Sequence, residues 1–169
     1  MKIPLRYDFC PKCGGKLYAE TIEQQDQPRC SQCQFIFYQN PVVGVAGILL
    51  KDGKVLLGKR NNSYQGLWCL PCGYVEWKED VEEACKREFE EETGLRVELE
   101  RVYAVHSNFH NPQQHTVGIW YLMKEMGGQL AADDDLEQVD FFSYQQLPEL
   151  AFPTDRKVLD QLAADGLLK

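Results

Sequence analysis

Two periodicities take turns along this chain. The apolar run from Val42 to Leu50 reads as a buried strand, and "VLLGKR", Val55 to Arg60, returns after a turn at Asp52-Gly53 to make a hairpin. "NNSYQG" reads as a loop, "LWCLP" as a short strand and "CGYVEWKE" as an irregular crossing. The spacing then becomes helical. Asp80 and Glu83 form a D-x-x-E capping box, Val81, Ala84, Cys85 and Phe89 supply apolar positions, and Gly94 stands where a helix stops. "LRVELERVYAV" and "TVGIWYLMK" predict two further strands separated by the polar "HSNFHNPQQH". After the turn at Gly127-Gly128 comes an acidic loop, "AADDDLEQ", then a last strand, "VDFFSY", and a Thr-capped helix, "TDRKVLDQLAADG". Strands alternating with helices place the fold in the mixed α/β class with a mixed sheet.

The first forty residues obey neither rhythm. Asn40-Pro41 marks the change, so the expected division is a small domain over 1–38 and a main domain over 39–169. Forty residues bury little core and need a staple. Cys10-Pro-Lys-Cys13 and Cys30-Ser-Gln-Cys33, with sixteen residues between the pairs, suit a tetrahedral thiolate Zn²⁺ site. Gly14 and Gly15 supply the backbone freedom to aim amides at sulfur. Paired disulfides and free thiols are the other readings of this spacing. Four protein ligands close such a site, so its expected role is structural.

Charge removes some functions. The formal net charge of −8 argues against a protein that grips nucleic-acid backbone, and residues 1–40 carry five Lys/Arg against four acids, so the small domain lacks a basic patch. The first residues hold no apolar core of signal-peptide length, and the longest apolar run falls short of a membrane span. A cytoplasmic protein without a membrane partner is expected.

The predicted helix carries the chemistry. In "KREFEEETGL", Glu88, Glu91 and Glu92 share one face at i, i+3 and i+4, while Glu90 points away. Such a face needs compensation, from neighbouring Lys/Arg or from a hard divalent cation for which carboxylate oxygens are natural ligands. Arg87, one i,i+4 step from Glu91, is placed to orient that carboxylate.

From Gly73 to Leu95 the order is Gly, five residues, Glu79, seven residues, then Arg-Glu-Phe-Glu-Glu-Glu-Thr-Gly-Leu. This resembles the motif of the Nudix hydrolases, G-x5-E-x7-R-E-U-x-E-E-x-G-U, at every fixed position. The preceding "GLWCLPCGYVE" is similar to the family's lead-in, with Cys72 in place of the first of two glycines. A thiolate ribbon ahead of such a domain resembles the short zinc-ribbon subgroup that includes ADP-ribose/FAD pyrophosphatases. The NADH pyrophosphatases share that arrangement but carry an S-Q-P-W-P-F-P array where this chain has "HSNFHNPQQHT".

The resemblance implies an α/β/α sandwich and Mg²⁺- or Mn²⁺-dependent cleavage of a nucleoside diphosphate linked to another moiety: ADP-ribose, or FAD, to AMP and a phosphorylated product. It implies metal ligation by Glu88, Glu91 and Glu92, with Glu79 either joining them or capping the helix. Substrate contacts fall to Arg60, Trp68, Gly73 and Glu76. Glu137, from the acidic loop, is the expected base toward water, with Asp134 and Asp135 as the other acids there. Tyr74, Phe109 and Trp120 are further rings for a base or flavin. His106, His110 and His115 are expected in a substrate loop or at the surface, Cys85 in the core, and Cys69/Cys72 as packed thiols or a redox pair. Relatives of this kind often pair, so a homodimer through the ribbon is expected. An NADH-cleaving enzyme and a non-catalytic nucleotide sensor are the alternatives.

Overall fold

The computed structural model describes residues 5–169, and its contacts divide them into two units: the chain to Val42 with Asn111–His115, and Val43–His110 with Thr116–Lys169. The segment 111–115 thus belongs with the first unit and not with the strands that flank it in sequence.

The first unit is built on an antiparallel hairpin of β1 (Leu17–Ile22) and β2 (Gln25–Cys30), from Leu17 opposite Cys30 to Ile22 opposite Gln25. Its two-residue turn holds Glu23 and Gln24 at φ 48° and 70°, the left-handed pair that matches hairpin twist. Cys10, Leu17 and Cys30 are buried with Phe35 packed on them, a core too small to stand by burial alone.

In the second unit β3 (Val42–Lys51), β4 (Lys54–Arg60), β5 (Trp68–Cys69), β6 (Cys72–Tyr74), β7 (Leu95–Asn108), β8 (Thr116–Gly128) and β9 (Leu136–Phe142) form one mixed sheet in the order β5-β4-β3-β8-β7, with β6 on β3 and β9 on β4. Strand alternation decides which helix covers which face. Val45, Leu49, Leu56, Tyr121 and Met123 meet Ala84, Cys85 and Phe89 of α1 (Val81–Thr93). Ala46, Ile48, Val55, Leu57, Trp120 and Leu122 meet Val158, Leu159 and Leu162 of α2 (Pro153–Ala164) on the other side. This is the α/β/α sandwich. α1 lies close because Gly47 leaves room for it: a Cβ there would stand 2.4 Å from the Phe89 ring.

Several boundaries differ from the sequence expectation. β7 continues to Asn108 and β8 to Gly128, since the ladder persists from Leu95 opposite Gly128 to Asn108 opposite Thr116. "CGY", read as irregular, is a strand paired with Gly44–Ala46. β9 starts at Leu136, so Glu137 is a strand residue. α2 begins on Pro153, whose missing N–H costs nothing in a first turn, and Phe152 rather than Thr154 is its N-cap. At α1 the Asp80 carboxylate accepts from the Glu82 amide, and Gly94 ends the helix at φ 69°. Among the described residues no helix is long and apolar enough to cross a membrane.

Candidate active site

Arg87 organises the acidic face of α1. Its Nε and Nη2 grip the two oxygens of Glu79 at 2.7 and 2.9 Å, and its Nη1 reaches Glu88 Oε1 at 2.9 Å and Glu91 Oε2 at 3.0 Å. A forked, permanently charged guanidinium is the side chain suited to several carboxylates at once. Nη2 also donates to the Tyr74 carbonyl at 3.3 Å, which ties the cluster to β6. Arg87 thereby holds the Glu79 carboxyl down at about 2. The helix cap is Asp80 and not Glu79, which joins the cluster through Arg87 while accepting from the Glu76 amide at 3.0 Å. Glu76 itself is exposed at that turn, and Glu90, as expected, faces solvent.

The three glutamates expected to act alike occupy three environments. Glu91 is half-exposed. Glu88 is wedged against Gly73, where a Cβ would come within 1.9 Å of its carboxyl carbon, and burial raises its pKa. Glu92 is buried at 1% exposure, accepts from the Cys72 amide at 2.7 Å, and is pushed up to about 9, above all by burial. Each keeps one oxygen that no hydrogen bond engages among the described residues: Glu88 Oε2, Glu91 Oε1 and Glu92 Oε1. Hard, partly unsatisfied carboxylate oxygens are the donor set of a divalent cation. Gly73 therefore acts through the space it leaves. Gly73→Ala is expected to displace Glu88 and lower kcat by about a hundredfold with a folded protein, checked by steady-state kinetics beside circular dichroism.

Other predicted residues lie elsewhere. Glu137 is paired with Lys59 at 2.7 Å, and it is Asp134 whose charge contributes to raising Glu88. Asp134 is held at φ 51° with its carbonyl accepting from Asn61, and nothing in the local sequence separates it from its acidic neighbours. Arg60 departs most from expectation. It is 6% exposed and spends its donors on the Ser63 carbonyl, Asn62, Ser63 Oγ and Cys69 Sγ, beside Asp135 and over the Phe152 ring. It closes the loop that follows β4. The Trp68 ring packs edge-on against Phe142, and Trp120 is buried. Tyr74 and Phe109 are the exposed rings of the predicted set. Cys69 and Cys85 are buried, with Cys72 half-buried. His110 rests against Tyr64 and Phe152, and His106 against Trp120.

In the first unit the sulfurs of Cys10, Cys13, Cys30 and Cys33 lie within 4.8 Å of one another, the one such cluster among the described residues. Amides of Lys12, Gln32 and Cys33 point at sulfur over 3.4–3.5 Å. The Cys33 amide, with that of Gln32, lowers the Cys30 thiol to about 6. The Gly15 amide favours the Cys13 thiolate, yet Cys33 and Cys30 push Cys13 up to about 11. Four such thiolates coexist only around a cation, so the donor set fits a metal.

A family model for the NUDIX domain matches residues 39–162. The chain belongs to the Nudix family. It is 37% identical over 156 residues to the ADP-ribose pyrophosphatase of Methanocaldococcus jannaschii, covering 91% of this chain and 90% of that one. It is 30% identical over 144 residues to the NAD-capped RNA hydrolase NudC of Edwardsiella ictaluri, but spans only 54% of that protein's length. A solved Nudix hydrolase structure from Nitrosomonas europaea superposes with a TM-score of 0.81 at 31% identity, over 94% of this chain and 92% of that one. In this Nudix chain the acidic helix and the Gly73 strand form one packed unit.

Proposed function

We propose that this Nudix chain is a divalent-metal-dependent pyrophosphohydrolase that splits ADP-ribose into AMP and ribose 5-phosphate, with a Zn²⁺-stapled ribbon over residues 1–38. The observation that supports the reaction class is Glu88 and Glu91 held by Arg87, with Glu92 on the same helix held by the Cys72 amide, each with an oxygen left over for a cation. Likeness to an ADP-ribose pyrophosphatase over about nine-tenths of both chains supports the substrate.

Glu88, Glu91 and Glu92 are the residues to hold Mg²⁺ or Mn²⁺, which when bound neutralises pyrophosphate oxygens and raises the acidity of water. Arg87 Nη1 bridges Glu88 and Glu91 and offsets the repulsion between their charges. Gly73 lets the Glu88 carboxylate lie against backbone. Proton uptake from the attacking water falls to an acid outside the metal ligands. Glu137, the base expected from the sequence, is paired with Lys59 at 2.7 Å. The Cys10, Cys13, Cys30 and Cys33 thiolates hold Zn²⁺ and take no part in the chemistry.

The expectation is tested by kcat/KM across ADP-ribose, FAD, NADH and diadenosine polyphosphates with Mg²⁺ and product identification. ADP-ribose should lead by about tenfold or more. A lead for NADH, the reading favoured by the NudC likeness, would replace the substrate while leaving the reaction class intact.

A further inference from the structure

We propose that Asp155 is a positioning residue of this enzyme: from the first turn of α2 its carboxylate fixes the Leu70–Gly73 backbone, which in turn places the carboxylates of Glu92 and Glu88. The kinetic part of this inference rests on the pyrophosphohydrolase reading above.

Asp155 is 2% exposed, in a place where a carboxylate costs stability unless hydrogen bonds offset its burial. Its Oδ2 accepts the Leu70 amide at 3.0 Å, and its Oδ1 accepts Trp120 Nε1 at 3.3 Å. Leu70 opens the short connection from β5 to β6, and every following residue of that connection is also fastened. The Pro71 carbonyl accepts from the Gly47 amide at 2.9 Å, the Cys72 amide donates to Glu92 Oε2 at 2.7 Å, and Gly73 lies against the Glu88 carboxylate. The chain leading into α2 grips the same strand from the same side: the Trp68 amide donates to the Glu149 carbonyl at 2.9 Å, and the Ala151 amide to the Trp68 carbonyl at 2.7 Å. The connection is thus clamped between two buried carboxylates on opposite helices. Glu92 holds it from α1 and Asp155 from α2.

The asymmetry between these clamps assigns the roles. Glu92 stands beside Glu88 and Glu91 in the proposed catalytic cluster, whereas Asp155 touches none of those side chains and reaches them only through backbone. A carboxylate with two acceptors suits this position because both of its neighbours are pure donors, a backbone N–H and an indole N–H. An amide of the same size would turn its NH2 toward one of them.

The test uses the full-length protein and two readouts. In Asp155→Asn, amide hydrogen exchange of the metal-free protein, followed by NMR, should show Leu70 and Cys72 exchanging about tenfold faster or more, with β7 amides unchanged. In the ADP-ribose assay the same variant should lose about tenfold or more in kcat while KM stays within about twofold, the signature of misplaced catalytic groups. Trp120→Phe removes the second donor together with part of a buried ring, yet leaves the Leu70 amide its acceptor, and should leave both the Cys72 amide and kcat close to wild type. If Asp155→Asn does not fold, replacing Leu70 by its α-hydroxy acid deletes only the N–H and carries the same two expectations. Unchanged Cys72 protection, or a Trp120→Phe defect equal to that of Asp155→Asn, would overturn the assignment in favour of plain packing. The exchange measurement needs no substrate, so a wild-type protein inactive on ADP-ribose would refute the proposed function while leaving this result readable.

Discussion

Glu92→Gln is expected to lower kcat on ADP-ribose by about a hundred- to a thousandfold, the loss of several kcal/mol of charge stabilisation, and at the same time to stabilise the metal-free protein. Both effects have one origin. Glu92 is an acid in a nearly dry site, raised from an ordinary 4.5 to about 9 by burial and then by Cys69, against the help of the Cys72 amide and Arg60. Between those two values the native protein holds a proton that the unfolded chain has released, so the stability due to this group is complete below about 4.5 and is lost as pH rises through about 9. Gln has no proton to lose. The Tm advantage of the variant in EDTA should therefore be absent near pH 5 and grow with pH, to about 5 °C or more at pH 8.5 for a chain of this size. Thermal melts at the two pH values check the stability half, and steady-state kinetics checks the other. A pH-independent Tm difference, or kcat within a factor of about ten of wild type, would contradict this account of Glu92. The site keeps a carboxylate where the apo protein would be more stable without one, which is the pattern of a residue retained for function.

Cys30→Ser carries the second large effect. Cys30 is fully buried, its thiol is lowered by the Cys33 and Gln32 amides, and with its strand partner Leu17, Cys10 and Phe35 it makes up the small core. A structural zinc site contributes on the order of 10 kcal/mol of binding free energy, far more than burial of Leu17 and Phe35 can replace. The variant should bind no stoichiometric zinc by elemental analysis, and amides over residues 5–42 should lose protection from exchange. The sandwich core around Phe89 and Ile48 lies in the other unit and should keep its protected amides. Retained protection across β1 and β2 in metal-free Cys30→Ser would mean that the hairpin stands without its ion.

The legibility of this molecule was uneven for physical reasons. α1 announced itself because its apolar spacing, the Asp80 cap and Gly94 agree, and the four cysteines did so because ligand spacing is a local property. The separation of Glu88, Glu91 and Glu92 into three environments was not legible. Helical geometry places them on one face, but the β5–β6 connection, brought over Glu92 by pairing of β6 with β3, is a tertiary event. The burial of Arg60 was hidden for a similar reason. A strand-terminal arginine looks solvated until Phe152 and the loop after β4 close around it. Leu136–Gln138 looked like loop because two of the three are polar, yet pairing with β4 makes them strand and puts Glu137 beside Lys59. Asp155 gave no sign at all, because an acid in the first turn of a helix is ordinary and its partners lie on distant strands.

The most direct measurement of the central claim is incubation of the purified protein with ADP-ribose and Mg²⁺ in ¹⁸O-water, with products resolved by mass spectrometry and an EDTA control. AMP and ribose 5-phosphate should form in equal amounts, one of them carrying the label, with no turnover in EDTA. Intact ADP-ribose after long incubation with a folded, metal-loaded protein, or the same turnover with EDTA present, would overturn the proposed hydrolysis.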